Sequence, residues 1–132
     1  MRYFVSGHRD LTLEEFDRHY VYQLDLVLAE DPYAQFVVGD WEGCDTIFVK
    51  YMEEYYTDVV IHIFYVSSPR IKEGEFNEYS FHECESYDDC DASMTRLSNF
   101  DIAWIRPGRE DSHTAKNIKR RYNLWKQIPE NQ

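Results

Sequence analysis

The most informative segment of this chain is Arg2-Tyr-Phe-Val-Ser-Gly-His-Arg-Asp-Leu-Thr-Leu-Glu-Glu-Phe16. Its first residues are aromatic and β-branched, as in a strand, and Gly7 then permits a sharp turn. Thr12 precedes Glu15 by three residues, which is the spacing of a helix capping box. The segment therefore predicts a strand, a turn and a capped helix in succession. The free N–H groups and the positive dipole end of such a corner favour the binding of an anion.

Strand and helix signals alternate along the whole chain. Runs of apolar residues predict strands at residues 2–6, 35–39, 59–66 and 102–106. Apolar positions with helical spacing predict helices at about 13–29, 46–56, 88–98 and 114–127. A short edge strand is expected within residues 75–82. The alternation predicts an α/β fold, a Rossmann-like three-layer αβα sandwich with a mainly parallel sheet of four to five strands.

The length and the charge restrict the class of protein. A chain of 132 residues with 43% hydrophobic residues favours a single domain with a core, over residues 1–132. The net charge of −11 argues against a surface for extended nucleic acid, because Lys and Arg must neutralise the phosphates. No apolar run has the length of a membrane span. We therefore expect a cytoplasmic protein that engages neither a membrane nor extended nucleic acid.

The three cysteines are Cys44, Cys84 and Cys90, and their spacing matches no common zinc site. A metal site that combines Cys84 and Cys90 with His82 is a minor alternative. We expect free thiols in a reducing compartment, and neither a metal nor a cofactor is predicted. His62, in the middle of a predicted strand, is interpreted as a packed and hydrogen-bonded histidine.

Three polar turns follow predicted strands, at residues 6–9, 39–45 and 111–114. In an open parallel sheet, ligands bind beyond the carboxyl ends of the strands, so the three turns are expected to meet at one edge. Their glycines allow close approach to the backbone, and the helices that follow them offer N–H groups to a phosphate. Arg9 offers a bidentate donor to a phosphate, and Trp41 could cover a base.

The residues predicted to bind a ligand lie in these turns and at the start of the last helix. They are Ser6, Gly7, Arg9, Gly39, Asp40, Trp41, Gly43, Ser112, His113, Thr114 and Asn117. Asp45 and Glu42 are the candidate catalytic acids. Asp45 is also placed to cap the helix predicted at 46–56.

These turns resemble, in order and in residues, the SLOG superfamily of Rossmann-like nucleotide-binding proteins. The superfamily includes the LOG-type nucleoside-phosphate hydrolases, the DprA/Smf proteins and the YpsA-like proteins. Ser6-Gly7-His8-Arg9 resembles the early G-x-R element, and residues 36–45 resemble a strand that ends in G-x-x-x-G-x-D. Cys90-Asp91 with Met94 resembles an R-D-x-x-M helix start, and residues 112–118 resemble the S-G-T-x-x-N/E phosphate-binding turn. The resemblance implies a SLOG-type nucleotide-binding domain over nearly the whole chain.

Three positions depart from the pattern of that superfamily. Cys90 stands where an arginine is common, and His113 replaces the glycine of S-G-T, which narrows the approach to the phosphate. Asn117 stands where the LOG-type hydrolases carry a catalytic glutamate. Asparagine cannot act as a general base or as a carboxylate nucleophile. The resemblance therefore implies ligand binding more strongly than it implies hydrolysis.

Three functions follow as hypotheses. The first is a module that binds a nucleotide or a nucleotide-derived small molecule, as a sensor or to sequester it. The second is an enzyme that cleaves the N-glycosidic bond of a nucleoside phosphate, with Asp45 or Glu42 in place of the missing glutamate. The third is an acidic, tyrosine-rich module that binds another protein and has a vestigial pocket. A pocket in which Trp41 or His113 occupies the phosphate position would favour it.

Two of the predicted helices bear on assembly. The helix at 46–56 carries Tyr51, Tyr55 and Tyr56, more aromatic surface than one face can bury, so we expect a homo-oligomer, namely a dimer. The last helix is expected to turn an apolar face inward and a basic face to solvent. The apolar face comprises Ala115, Ile118, Tyr122 and Trp125, and the basic face comprises Lys116, Lys119, Arg120, Arg121 and Lys126.

Overall fold

The computed structural model describes residues 1–127, and in them five strands form one sheet. The strands are β1 (Arg2–Ser6), β2 (Gln35–Val38), β3 (Val60–Val66), β4 (Glu78–Cys84) and β5 (Phe100–Ala103). The helices are α1 (Leu13–Phe16), α2 (Tyr22–Glu30), α3 (Cys44–Tyr55), α4 (Tyr87–Leu97) and α5 (His113–Lys126). A π-helical turn, Asp17–Val21, joins α1 to α2. No helix within the described residues is both long and apolar enough to cross a membrane.

The strand order is β4-β3-β2-β1-β5, and every pair of neighbours is parallel. Helices flank the sheet, so the prediction of a Rossmann-like α/β sandwich is confirmed. The chain builds outward from β1 to β4 and then returns to place β5 on the other side of β1. The order therefore reverses beside β1, and ligands of such sheets bind at that reversal.

Alternate residues of β1 enter two separate cores. Val5 belongs to the larger core, under α1, α2 and α3, and Phe4 belongs to the smaller core, under α4. Both side chains are almost fully buried. Because side chains alternate across a strand, β1 is covered on both faces, as expected of a central parallel strand.

The capping box predicted at the first helix is confirmed. Thr12 accepts a hydrogen bond from the backbone N–H of Glu15, and the Glu15 carboxylate accepts one from the backbone N–H of Thr12. The predicted edge strand is also present. As β4, it pairs with β3 along its full length, from Glu78 opposite Val60 to Cys84 opposite Val66.

The last strand lies earlier in the chain than the predicted segment 102–106. β5 ends at Ala103 because the backbone N–H groups that follow bind side chains instead of a neighbouring strand. The N–H of Trp104 donates to the Tyr20 hydroxyl at 3.0 Å, and the N–H of Arg106 donates to Nε2 of His8 at 2.9 Å.

The expectation of free thiols is wrong for two of the three cysteines. Cys84, at the end of β4, and Cys90, in α4, form a disulfide with their Cα atoms 5.5 Å apart. Cys44 is free and buried. His82 instead bonds His62 at 2.9 Å, and His62 also contacts Gln35 at 3.0 Å, so the interpretation of His62 as a hydrogen-bonded histidine is confirmed.

The faces of α5 differ from the prediction. Arg121 is buried, where its guanidinium donates to the carbonyl oxygens of Thr95 and Ser98 and pairs with Asp101 at 3.1 Å. Three of the apolar residues expected inside are instead exposed, Ile118, Tyr122 and Trp125. A basic residue can replace an apolar one in the interior only where carbonyls and a carboxylate compensate its charge, as they do here.

Candidate ligand-binding cleft

A cleft of about 750 Å³ lies beyond the carboxyl ends of β1 and β2, beside the reversal of the strand order. The turns at 6–9, 39–45 and 111–114 all contribute to its walls, as the sequence predicted. Its lining includes every residue predicted for ligand binding or catalysis except Gly43. The fold therefore brings the predicted residues together, and their role in binding stays a prediction.

Gly43 lies behind the cleft and joins the first two turns. Its φ is +78°, and a Cβ at this position would collide with the backbone of His8 and Arg9. The adjacent N–H of Cys44 donates to the carbonyl oxygen of His8 at 3.2 Å. Gly43 therefore lets the two turns pack backbone against backbone, and its role in ligand binding stays a prediction.

The other two predicted glycines also make room for protein atoms. A Cβ at Gly7 would lie 2.6 Å from both the Cys44 sulfur and the Tyr20 hydroxyl oxygen. A Cβ at Gly39 would lie 2.8 Å from a carboxylate oxygen of Asp45. Close approach is thus required at both positions, as predicted, but the group that approaches belongs to the protein itself.

Trp41 is covered by arginine side chains. The guanidinium carbons of Arg9 and Arg70 lie 3.5 and 3.9 Å from the centre of the indole ring. The Tyr87 ring also packs against the indole, with the ring centroids 4.7 Å apart. The indole ring is therefore already in contact with three side chains of the protein. In this structure Trp41 holds Arg9 at the cleft through a cation–π contact.

Asp45 does not cap α3, in contrast to the prediction. It is the second residue of the helix, and Gly43 takes the N-cap position. Glycine has no side chain that could accept a hydrogen bond from the N–H groups of the first helical turn. The carboxylate of Asp45 instead accepts a hydrogen bond from the backbone N–H of Trp41 at 3.0 Å. Burial, together with the charges of Asp40 and Asp91, raises the pKa of Asp45 to about 7 in spite of that bond.

Two buried oxygens of the cleft have no hydrogen-bond partner within residues 1–127. One is Oδ1 of Asp40, a residue 2% exposed, whose Oδ2 accepts a bond from the backbone N–H of Arg70. The other is the hydroxyl of Ser6, at the end of β1. Buried polar atoms are nearly always hydrogen-bonded in native proteins, so these two are available to a bound molecule.

The start of α5 and the turn before it form the third wall of the cleft, beside the walls made by the turns at 6–9 and 39–45. Ser112 caps the helix by accepting a bond from the N–H of Ala115 at 3.3 Å. Thr114 and Asn117 are buried, and Asn117 accepts a bond from Arg120 at 2.6 Å. His113 is exposed on the rim of the cleft.

Several residues of the cleft were not predicted as site residues. The unassigned residues with ionisable side chains are His8, Asp10, Tyr87, Asp91, Arg109, Asp111 and Lys116. Tyr87 and Asp91 belong to α4, which crosses back over the sheet between β4 and β5. The resemblance of Cys90-Asp91 with Met94 to R-D-x-x-M was the one available signal for the contribution of α4 to the cleft.

The charges of the cleft are mixed. Burial raises the pKa of Asp91, an effect that the charges of Arg120 and His113 oppose. Burial and the nearby Arg109 lower the pKa of His8. The neutral His8 ring then accepts the Arg106 N–H bond. Carboxylates and cations thus face one cavity, which suits a ligand with both hydrogen-bond donors and an anionic group.

The loop between β5 and α5 is held in place by Arg106. Its guanidinium makes two bonds to the Glu15 carboxylate, at 2.7 and 2.9 Å, and one each to the carboxylate and the carbonyl oxygen of Asp10, at 3.0 and 3.3 Å. The bonds from Arg106 lower the pKa of Glu15 to about 2. The capping box of the first helix therefore also anchors the loop that supplies the third wall.

Within residues 1–127, no three His, Cys, Asp or Glu side chains are grouped so that they could hold a metal ion. Comparison with known protein families, with curated proteins and with solved structures finds no match for the chain.

Proposed function

We propose that the cleft binds a nucleotide or a nucleotide-derived small molecule. The observation that carries the proposal is the unpartnered, buried Oδ1 of Asp40 in a cavity that also presents Arg9 and the first turn of α5. A sugar hydroxyl or a base amino group would donate to Asp40. A phosphate would receive bonds from Arg9 and from the free N–H groups of the helix start. A volume of about 750 Å³ lies within the usual range for small-molecule sites.

The resemblance of the same turns to the SLOG superfamily supports this class of ligand. The stacking of Arg9 on Trp41 supports it further, because a guanidinium fixed before binding loses little entropy when it engages a phosphate. Binding without turnover would suit a sensor or a sequestering module.

The test is a titration of ¹⁵N-labelled protein with AMP, ADP-ribose and ribose 5-phosphate. We expect the amide signals of Gly39, Trp41 and Thr114 to shift on binding. Arg9→Gln should weaken binding about tenfold, or 1.4 kcal/mol, since it removes a charged bidentate donor. Arg18→Gln is the matched control, because Arg18 is exposed and pairs with Glu14 away from the cleft. The absence of any shift in cleft amides at millimolar concentrations of all three compounds would refute the proposal.

Hydrolysis of an N-glycosidic bond is a second candidate, favoured by the environment of Asp45. A buried carboxyl group at the cleft whose pKa is raised to about 7 can donate a proton to a leaving base at neutral pH. Release of adenine from AMP that is lost in Asp45→Asn and retained in Glu42→Gln would support it. Intact AMP after long incubation at high protein concentration would exclude this activity. The open cleft does not favour the vestigial-pocket hypothesis, because neither Trp41 nor His113 fills it.

A further inference from the structure

A second cavity, of about 480 Å³, lies between α4 and α5, and we refer to it as the groove. Four cationic residues line it, Arg96 from α4 and Lys116, Lys119 and Arg120 from α5. No carboxylate belongs to its lining among residues 1–127. The groove is therefore a local concentration of positive charge in a chain whose net charge is −11.

No salt bridge within residues 1–127 neutralises the positive charge of the groove, although the charge of Arg120 also acts on Asp91 in the cleft. In the part of the chain that the structure describes, none of these four residues forms a salt bridge, whereas Arg18, Arg106, Arg109 and Arg121 all do. Cations that line one cavity repel each other, and a bound anion would replace that repulsion with attraction.

The groove also has a fixed polar floor. Thr95 is 1% exposed, lines the groove, and its hydroxyl has no hydrogen-bond partner within residues 1–127. The buried Arg121 joins the two walls, since it extends from α5 to the carbonyl oxygens of Thr95 and Ser98. The amide side chain of Asn123 offers further donors. A cavity whose walls are joined in this way, with unused donors and with cations outside any salt bridge, is preorganised for an anion.

We propose that the groove is a second ligand site, which takes a compound with two or more adjacent phosphate groups. Four cations exceed the charge of a single phosphate, so a chain of phosphates matches them better. Lys116 lines both the groove and the cleft. The phosphates therefore come either from free polyphosphate or from the phosphate chain of a nucleotide whose remainder lies in the cleft.

The test adds inorganic tripolyphosphate and ATP, in separate experiments, to the protein. NMR spectra of ¹⁵N-labelled protein locate the binding, and titration calorimetry measures the affinity. We expect tripolyphosphate to shift the amides of Ala92, Arg96 and Asn123, with an affinity that falls as salt rises. The double variant Arg96→Gln/Lys119→Gln should bind about tenfold or more weakly. Both side chains are exposed, so the variant is expected to fold. Lys126→Gln is the matched control, a lysine of the same helix outside the groove.

Each outcome bears on the proposal. Groove shifts with tripolyphosphate alone support it with free polyphosphate as the source. Groove shifts that require ATP, and that accompany shifts at Gly39 and Trp41, support it with a nucleotide as the source. Equal weakening in Lys126→Gln would mean non-specific attraction and would overturn it, as would shifts confined to the cleft or no binding. Binding of AMP in the cleft is measured separately, so either site can fail without the other.

Discussion

The carboxyl group of Asp45 is buried among other acids, and this makes the stability of the protein depend on pH. Its pKa of about 7 in the folded protein compares with an ordinary value of 3.8. A folded-state pKa above the unfolded one means that the folded protein holds the proton to higher pH. The penalty for ionising Asp45 is therefore absent below about pH 4. It grows as the pH rises through the interval up to about 7, and it is complete above that.

We expect Asp45→Asn to remove this dependence. The asparagine can still accept the N–H bond of Trp41, but it has no charge to bury. At pH 8 the variant should be more stable than the natural protein, by up to about 4 kcal/mol at 1.36 kcal/mol per pKa unit. At pH 4 the difference should be small. Urea unfolding of both proteins across this range measures it, and parallel stability curves would contradict the pKa assigned to Asp45.

At the scale of elements, the third wall of the cleft depends on one arginine. Arg106 follows β5, and its bonds to Glu15 and Asp10 bring the next loop against the start of the first helix. The same Glu15 carboxylate closes the capping box with Thr12. The capping box was predictable from two residues three positions apart. The contact with Arg106 was not, because 91 residues separate it from Glu15.

The disulfide joins β4 to α4, and α4 lines one side of the cleft. Cys84 and Cys90 lie six positions apart in the sequence. Closing a loop of that length in the unfolded chain is worth about 2 kcal/mol in the chain-entropy description. Cys90 also lines the cleft beside Asp91 and Met94. The bond therefore restrains a wall of the candidate site as well as the unfolded chain.

We expect reduction of this disulfide to lower the free energy of unfolding by about 2 kcal/mol. Urea unfolding with and without a phosphine reductant measures the change. The control is the double variant Cys84→Ser/Cys90→Ser, which lacks the bond and whose stability should not respond to the reductant. If the natural protein is as stable in reductant as without it, the bond does not contribute as argued.

The whole molecule shows which of its features can be predicted from sequence. Apolar runs and helical spacing predict most strands and helices close to where they lie, although β5 begins two residues before the predicted segment. The rule for parallel sheets correctly predicts that the turns after β1 and β2 lie together. Which helix covers the cleft depends on the strand order, and no local pattern encodes it. For the same reason Arg121 is predicted on the solvated face, since only the folded chain places Asp101 and two carbonyl oxygens around it.

The expected dimer stays a prediction, but the structure favours α5 as its contact surface in place of the predicted helix at 46–56. The hydroxyl groups of Tyr51 and Tyr56 both donate to Asp25, at 2.5 and 2.6 Å, so these side chains are satisfied within one chain. Of the three predicted tyrosines only Tyr55 is exposed, at 62%. On α5, by contrast, Tyr122 and Trp125 are 56% and 51% exposed. They lie about one helical turn apart and away from the groove, which leaves an apolar surface that a second copy of the chain would bury.

We therefore expect a homodimer formed through α5, measurable by sedimentation equilibrium over a range of protein concentrations. Trp125→Lys should shift the equilibrium toward the monomer, because it places a charge within the apolar surface and removes its largest side chain. Tyr33→Lys is the matched control, since Tyr33 is 89% exposed and lies in the loop before β2. A monomeric mass for the natural protein at every concentration would refute the dimer. A dimer that withstands Trp125→Lys would place the contact elsewhere.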